Sequence, residues 1–345
     1  MPLSDRAAHQ DERLPSWREV LRLGCLFACA ALSTGLRCQC ATEPGVGPTP
    51  ARPRVAAFAR DGKFLAVGMD DGSVRLWRLD DFQPVWTARA HERPVNCVAM
   101  DPRGRYVASG CDGGRFHLTS LQTGERVHAL PVRPREGFSE HASAVAFSPD
   151  GELLVGGNRI GAVYVWRVQT AKLVHQLPGN VDAVAVSQDG RRLAATGSQV
   201  AVWDLPDAKL VHQWYLPTTM QGMAVSFRSN DEIALASHRS RIHFYNVASG
   251  QETGTIQLSH DGILPCAVVS PSGRYMGFIG DDQAAICDLE SKRPQGSGRL
   301  AIWGKFAGSV DANAARISAA EITGEFAILK VPEGSRLVTL QSPQR

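Results

Sequence analysis

Ten histidines, eight cysteines and 34 carboxylates give this chain groups for acid–base, thiol and metal chemistry, so their spacing decides what they can do. Cys38-Gln-Cys40 is the closest cysteine pair. Without a second pair or a neighbouring histidine it falls short of the four ligands of a structural zinc site. Cys97 and Cys111 flank Gly104 at equal distance, which leaves two readings open. They are either a disulfide across neighbouring strands or, the favoured reading, small buried hydrophobes. His175 and His212 occupy the same place in two copies of Ala-Lys-Leu-Val-His-Gln, at 171–176 and 208–213, and duplication points to architecture rather than catalysis. No nucleophile elbow, phosphate loop or His-Glu-x-x-His motif occurs. The sequence therefore assigns no catalytic, cofactor-binding or metal-ligating residue, and no cofactor is expected. What remains is charge. The acids Asp70, Asp71, Asp112, Asp281 and Asp282 and the cations Arg159, His238 and Arg239 would orient a charged ligand if the fold gathers them.

Whether it does depends on the elements that carry them. A phrase of strand, Asp-Gly-like turn, strand, turn and strand recurs along the chain. Its first turn falls at Asp61-Gly62, Arg103-Gly104, Asp150-Gly151, Asp189-Gly190, Asn230-Asp231, Ser272-Gly273 and, more weakly, Asn313-Ala314. From Gly62 to Ala314 is 252 residues over six intervals, or 42 each, which makes seven units. Third strands end in step, at Trp77-Arg-Leu79, Thr119-Ser-Leu121, Trp166-Arg-Val168, Trp203-Asp-Leu205, Tyr245-Asn-Val247, Cys287-Asp-Leu289 and Leu329-Lys-Val331. Period-2 alternation, as in Phe64-Leu-Ala-Val-Gly68, fits strands packed between neighbouring sheets. Asp-Gly pairs supply the positive φ of tight hairpins. A period near 42 with four short strands is the mark of propeller blades.

The phrase Val145-Ala-Phe-Ser-Pro-Asp-Gly151, closed by Ala162-Val-Tyr-Val-Trp-Arg-Val168, resembles the WD-repeat family, over roughly Arg54 to Gln341. The resemblance implies an all-β, seven-bladed β-propeller of four-stranded antiparallel blades, in a bacterial exported member of the family. The family's Gly-His signature is matched only in its histidine, at His91, His141 and His260. In the family that His, a strand Ser or Thr, a turn Asp and the Trp form a hydrogen-bonded network inside a blade. The second unit comes nearest, with His91, Ser109 and Asp112, but carries Thr119 in place of Trp. The turns between second and third strands carry all eight charged residues named above, and in the family that face holds peptides. Ring order groups Asp281, Asp282, Asp70, Asp71 and Asp112 on one side and Arg159, His238 and Arg239 on the other, a rim that would draw the basic stretch of a ligand to its acidic side.

Residues 1–41 read as a signal peptide or other membrane-targeting leader, because Leu23 to Leu36 is an uncharged apolar run preceded by Arg13, Arg18 and Arg22. Residues 42–54 are proline-rich and read as a linker, with the propeller at 55–341 and its ring closed by packing of the first blade against the last. The expected location is extracytoplasmic, either periplasmic, secreted or lipid-anchored, with a cytoplasmic chain as the alternative. A net charge of +3, an isoelectric point near 8.5 and dispersed Lys and Arg argue against nucleic acid. Membrane contact is not expected beyond a possible N-terminal anchor. The expected function is that of a monomeric, non-catalytic scaffold for protein or peptide. The alternatives are a propeller hydrolase or lyase with its active site at the channel mouth, and an intracellular scaffold.

Overall fold

The computed structural model describes residues 51–133, 141–159, 161–217, 222–237, 240–258, 266–279 and 283–299, and strands at 308–310, 316–320, 326–330 and 336–340. The leader and most of the linker lie outside these. The described strands form four-stranded antiparallel sheets, each made of consecutive strands in simple order. The first holds β1 (Pro53–Phe58), β2 (Phe64–Met69), β3 (Ser73–Arg78) and β4 (Gln83–Arg89). The second holds β5 (Val95–Met100), β6 (Tyr106–Cys111), β7 (Phe116–Ser120) and β8 (Arg126–Leu130). The third holds β9 (Ala142–Phe147), β10 (Leu153–Asn158), β11 (Ala162–Arg167) and β12 (Lys172–Pro178). The fourth holds β13 (Ala183–Val186), β14 (Arg192–Thr196), β15 (Gln199–Asp204) and β16 (Lys209–Tyr215). The fifth holds β17 (Gly222–Ser229), β18 (Glu232–Ser237), β19 (Arg241–Asn246) and β20 (Glu252–Gln257). The sixth holds β21 (Cys266–Val269), β22 (Tyr275–Ile279), β23 (Gln283–Asp288) and β24 (Arg293–Arg299). Side-chain packing is described for these six blades, where the sequence repeat counts seven units. The decayed last unit contributes β25 (Gly308–Val310), β26 (Arg316–Ala320), β27 (Phe326–Lys330) and β28 (Arg336–Leu340), described by backbone pairing alone.

Inner strands neighbour one another in sequence, β1 with β5, β5 with β9, and so on to β21 with β25, and β25 returns to β1. This is an all-β propeller. Its core lies between successive sheets, because each strand buries alternate residues on opposite faces. In β2, Leu65, Val67 and Met69 pack with Trp77 and Leu79, whereas Ala66 faces Val95 and Val107 of the second sheet. Between the second and third sheets, Phe116, Leu118 and Leu130 meet Leu154, Tyr164 and Trp166.

The expected turns form where glycine permits them. Gly62, Gly104, Gly151, Gly190 and Gly273 have φ between 68° and 73°, and each donates its N–H to the carbonyl three residues back. At the fifth such turn, Ser229 pairs with Glu232 around Asn230-Asp231, while Asn313-Ala314 lies outside the described residues. A second device recurs at the Trp position. The ladder between third and fourth strands slips there in every sheet, for example between Leu76 and Trp77, Val165 and Trp166, and Val202 and Trp203. The residues passed over include Val85, Val127 and Val174, which are exposed on the outer edge. A bulge there bends the edge strand away from pairing with another chain. The duplicated hexapeptide spans this feature, with Ala171 and Ala208 both at positive φ before a fourth strand.

Cys97 pairs with Gly110 and Cys111 with Val95, so the two cysteines are not opposed across the ladder, and both are free and buried. The buried-hydrophobe reading holds, and burial pushes the Cys97 thiol up. β1 begins at Pro53, so the last residues of the proline-rich segment enter the first sheet.

Candidate functional site

The ladder between the first and second strands is irregular at one recurring place. It slips between Pro53 and Val55, between Val95 and Cys97, at Ser143 between Ala142 and Ala144, and between Gly222 and Ala224. The residues left over are Arg54, Asn96, Ser143 and Met223. Asp182 stands in the corresponding place, just ahead of Ala183, where the β13 ladder starts. An extra residue in one strand turns its side chain out of the alternation. All five line a cavity of about 520 Å³ at one end of the central channel, with Asp112, His141 and Arg159. Asn96, Ser143, Asp182 and Met223 also line the channel, so the two spaces are continuous.

Inside this mouth the charges are organised by hydrogen bonds. Asp112 Oδ1 accepts from Asn96 Nδ2 at 2.9 Å and from His141 Nδ1 at 2.8 Å. The Asn96 amide holds the Asp112 carboxyl below its ordinary range, with help from His141 and Arg54 and against the effect of burial. Arg159 Nε donates to Asp182 Oδ1 at 3.3 Å, its side chain 67% exposed against 17% for Asp182. Ser143 Oγ lies within reach of the Gly157 and Val181 carbonyls, which ties the third and fourth sheets together at the rim.

The other expected rim residues serve their own turns. Asp70 Oδ1 accepts from the Arg52 N–H at 2.7 Å, and Asp70 N–H donates to the Arg52 carbonyl at 2.9 Å. Asp71 Oδ1 accepts from Ser73 N–H at 2.9 Å and Ser73 Oγ at 2.6 Å. Asp112 and Arg159, from opposite ends of the expected charge division, face the same cavity. His238, Arg239, Asp281 and Asp282 lie outside the described residues. Reasoning from turns alone missed Arg54, Asn96, Ser143, Asp182 and Met223. A signal for them exists, because Ser143 and Asp182 each precede Ala-Val-Ala and Asn96 precedes Cys-Val-Ala at the start of an inner strand.

The turn that carries Asp70 and Asp71 is held by Gly72, at φ 85°. A Cβ there would meet the His91 carbonyl oxygen at 2.2 Å, and the Gly72 carbonyl accepts from the His91 N–H at 2.9 Å. Gly72→Ala is expected to destabilise the fold by more than about 1 kcal/mol, because both the left-handed backbone and the close approach exclude a side chain. A urea melt checks this, and an unchanged midpoint would refute it.

The network implied by the resemblance forms only in part. His91 Nε2 lies 2.8 Å from Ser109 Oγ, but Asp112 is turned to the mouth. His117 stacks on His91 with ring centres 4.3 Å apart, and its Nδ1 lies 2.7 Å from the Ala90 carbonyl. Among the described residues the buried His91 Nδ1 and Thr119 Oγ1 have no hydrogen-bond partner, and no group of three or more His, Cys, Asp or Glu side chains is placed to hold a metal ion.

Fold and mouth together define a β-propeller of four-stranded antiparallel blades. Residues 56–139 match the WD40 domain of anaphase-promoting complex subunit 4. THO complex subunit 3 of Arabidopsis thaliana is 33% identical over 72 residues, which is 21% of this chain and 23% of the relative. Angio-associated migratory cell protein of Canis lupus familiaris is 28% identical over 92 residues, 24% of this chain and 21% of the relative. WD repeat-containing protein 90 of Xenopus tropicalis is 47% identical over 58 residues, 17% of this chain and 3% of the relative. The matched stretch thus spans less than a quarter of each relative's length.

Proposed function

We propose that the chain is a non-catalytic scaffold that binds a protein or peptide across the channel mouth, with β25–β28 as the seventh blade of the ring. One observation carries the reading: five inner strands direct a residue into a single polar cavity of about 520 Å³ that continues into the channel. A cavity of that size lies within the range that ligand sites occupy, about 300–1,000 Å³. Two of the matched proteins are by name subunits of larger complexes, which fits a scaffold. The rim assigned to the partner consists of Asp70, Asp71, Asp112 and Arg159 and, by their place in the sequence repeat alone, His238, Arg239, Asp281 and Asp282. The carboxylates of Asp70 and Asp71 are the groups assigned to meet a basic stretch of the partner. Affinity capture by the full chain, with the bound proteins quantified by mass spectrometry, tests the reading. Asp71→Lys combined with Asp282→Lys should lower the yield of the main partner several-fold; equal yield would overturn the rim's role.

We also propose export, on the strength of the apolar run at residues 23–36. N-terminal sequencing of material outside the cytoplasm is expected to find the leader removed. A chain that still begins at Met1 would count against it.

A further inference from the structure

Below the mouth the channel is walled by small apolar side chains of the inner strands, among them Val55, Ala57, Val98, Val145, Val184 and Val269, around a space of about 350 Å³. At its far end two hydrogen bonds skip a blade. Arg60 Nη1 donates to the Pro149 carbonyl at 3.5 Å, first sheet to third, and Gln188 Nε2 donates to the Ser272 carbonyl at 2.7 Å, fourth sheet to sixth. Both donors line the channel. Links between sheets that are not neighbours reach across part of the opening, so the far end is narrower than the mouth's side.

At the mouth, acids and cations are unequally engaged. Asp112 already accepts from Asn96 and His141, and Asp182 from Arg159. Arg54 lies near enough to Asp112 to lower its carboxyl, yet forms no hydrogen bond or ion pair among the described residues. Arg159 reaches Asp182 through Nε alone and leaves most of its guanidinium to solvent. Among the described residues, the donors still open to a ligand are therefore those of Arg54 and Arg159, two planar forks suited to a carboxylate.

We propose that the channel is a socket for a partner segment that inserts one apolar side chain into the well and sets an Asp or Glu carboxylate against Arg54 and Arg159. This rests on the reading that the chain binds protein at this face, and adds the chemistry of what is bound. The apolar side chain supplies burial, and the carboxylate sets the register of the segment.

The test is to pan the full chain against a displayed random-peptide library and to measure synthetic versions of the selected peptides by fluorescence anisotropy. Selected sequences should share an apolar residue adjacent to Asp or Glu. Converting that acid to its amide should weaken binding about tenfold or more. Arg54→Gln with Arg159→Gln should do the same, with the melting temperature measured alongside to show that the fold is intact. Ala57→Phe, which fills the well, should abolish binding. Peptides without an acid, or peptides indifferent to both Arg substitutions, would overturn the socket. Basic peptides that lose affinity on Asp71→Lys with Asp282→Lys would overturn it while leaving the scaffold reading intact. Failure to select any peptide would count against both.

Discussion

Trp166→Ala is expected to remove about 3–5 kcal/mol of folding stability, the cost typical of deleting a large buried aromatic side chain. Trp166 is fully buried in β11. Its ring centre lies 5.2 Å from that of Phe116 in the second sheet and 5.6 Å from that of Tyr164. Its indole N–H donates to the Pro131 carbonyl at 2.7 Å, in the segment that leaves the second sheet. Truncation would therefore open a cavity between two blades and also leave a carbonyl without its donor. In a ring where each blade packs only on its neighbours, one loosened interface weakens the whole. A denaturant titration measures the loss. Trp166→Phe, which keeps much of the apolar volume but not the N–H, should recover part of it. A midpoint unchanged by the alanine substitution would show that the aromatic cluster does not hold the two blades together.

Mild acid is expected to destabilise the protein before most carboxylates protonate. Burial, with a smaller effect from the neighbouring His117, lowers the His91 pKa from its ordinary 6.5 to about 3. Burial also lowers that of His117. In the folded state His91 stays neutral, stacked on His117 and bonded to Ser109. Once unfolded, it takes up a proton near pH 6.5. The unfolded state thus binds more protons, so stability is full above pH 6.5 and falls with pH until the folded His91 itself titrates near 3. Between pH 6.5 and 4 the loss from His91 alone is on the order of 3 kcal/mol. Glu232 and Glu252, held below 4.5, and Asp112, Asp150 and Asp189, held below 3.8, add their own losses as pH falls through those ordinary values. The upper part of the window, from 6.5 to about 5, therefore reports mainly the imidazoles. Urea titrations across it should show the midpoint falling steadily in the parent chain and much less in His91→Gln, whose amide still reaches towards Ser109. A level profile in the parent would mean that the pair is not held neutral.

The His91 pair also shows where sequence reading stopped. His91, Ser109 and Asp112 stand at the spacing of the family's blade network, and the His91–Ser109 bond forms. Asp112 instead leaves the blade, because Asn96 and His141 offer it two donors at the mouth. His117, on β7, stacks on His91. Spacing along one chain says which residues come near; it does not say which of several partners a carboxylate will choose. Asp70 and Asp71 likewise bond to the backbone N–H groups of Arg52 and Ser73, contacts that their spacing along the chain did not announce.

The repeated unit was legible in the chain alone. Alternating apolar residues and the glycine turns at Gly62, Gly104, Gly151, Gly190 and Gly273 are local properties of the backbone, so four-stranded antiparallel blades and their turn positions could be read directly. Only the tertiary structure decided what the mouth is made of. Arg54, Asn96, Ser143 and Met223 reach it through bulges that break the alternation, and a bulge is defined by the register of a neighbouring strand rather than by the residue itself. The bonds that narrow the far end join sheets two blades apart, through Arg60 and Gln188, and exist only once the ring has closed.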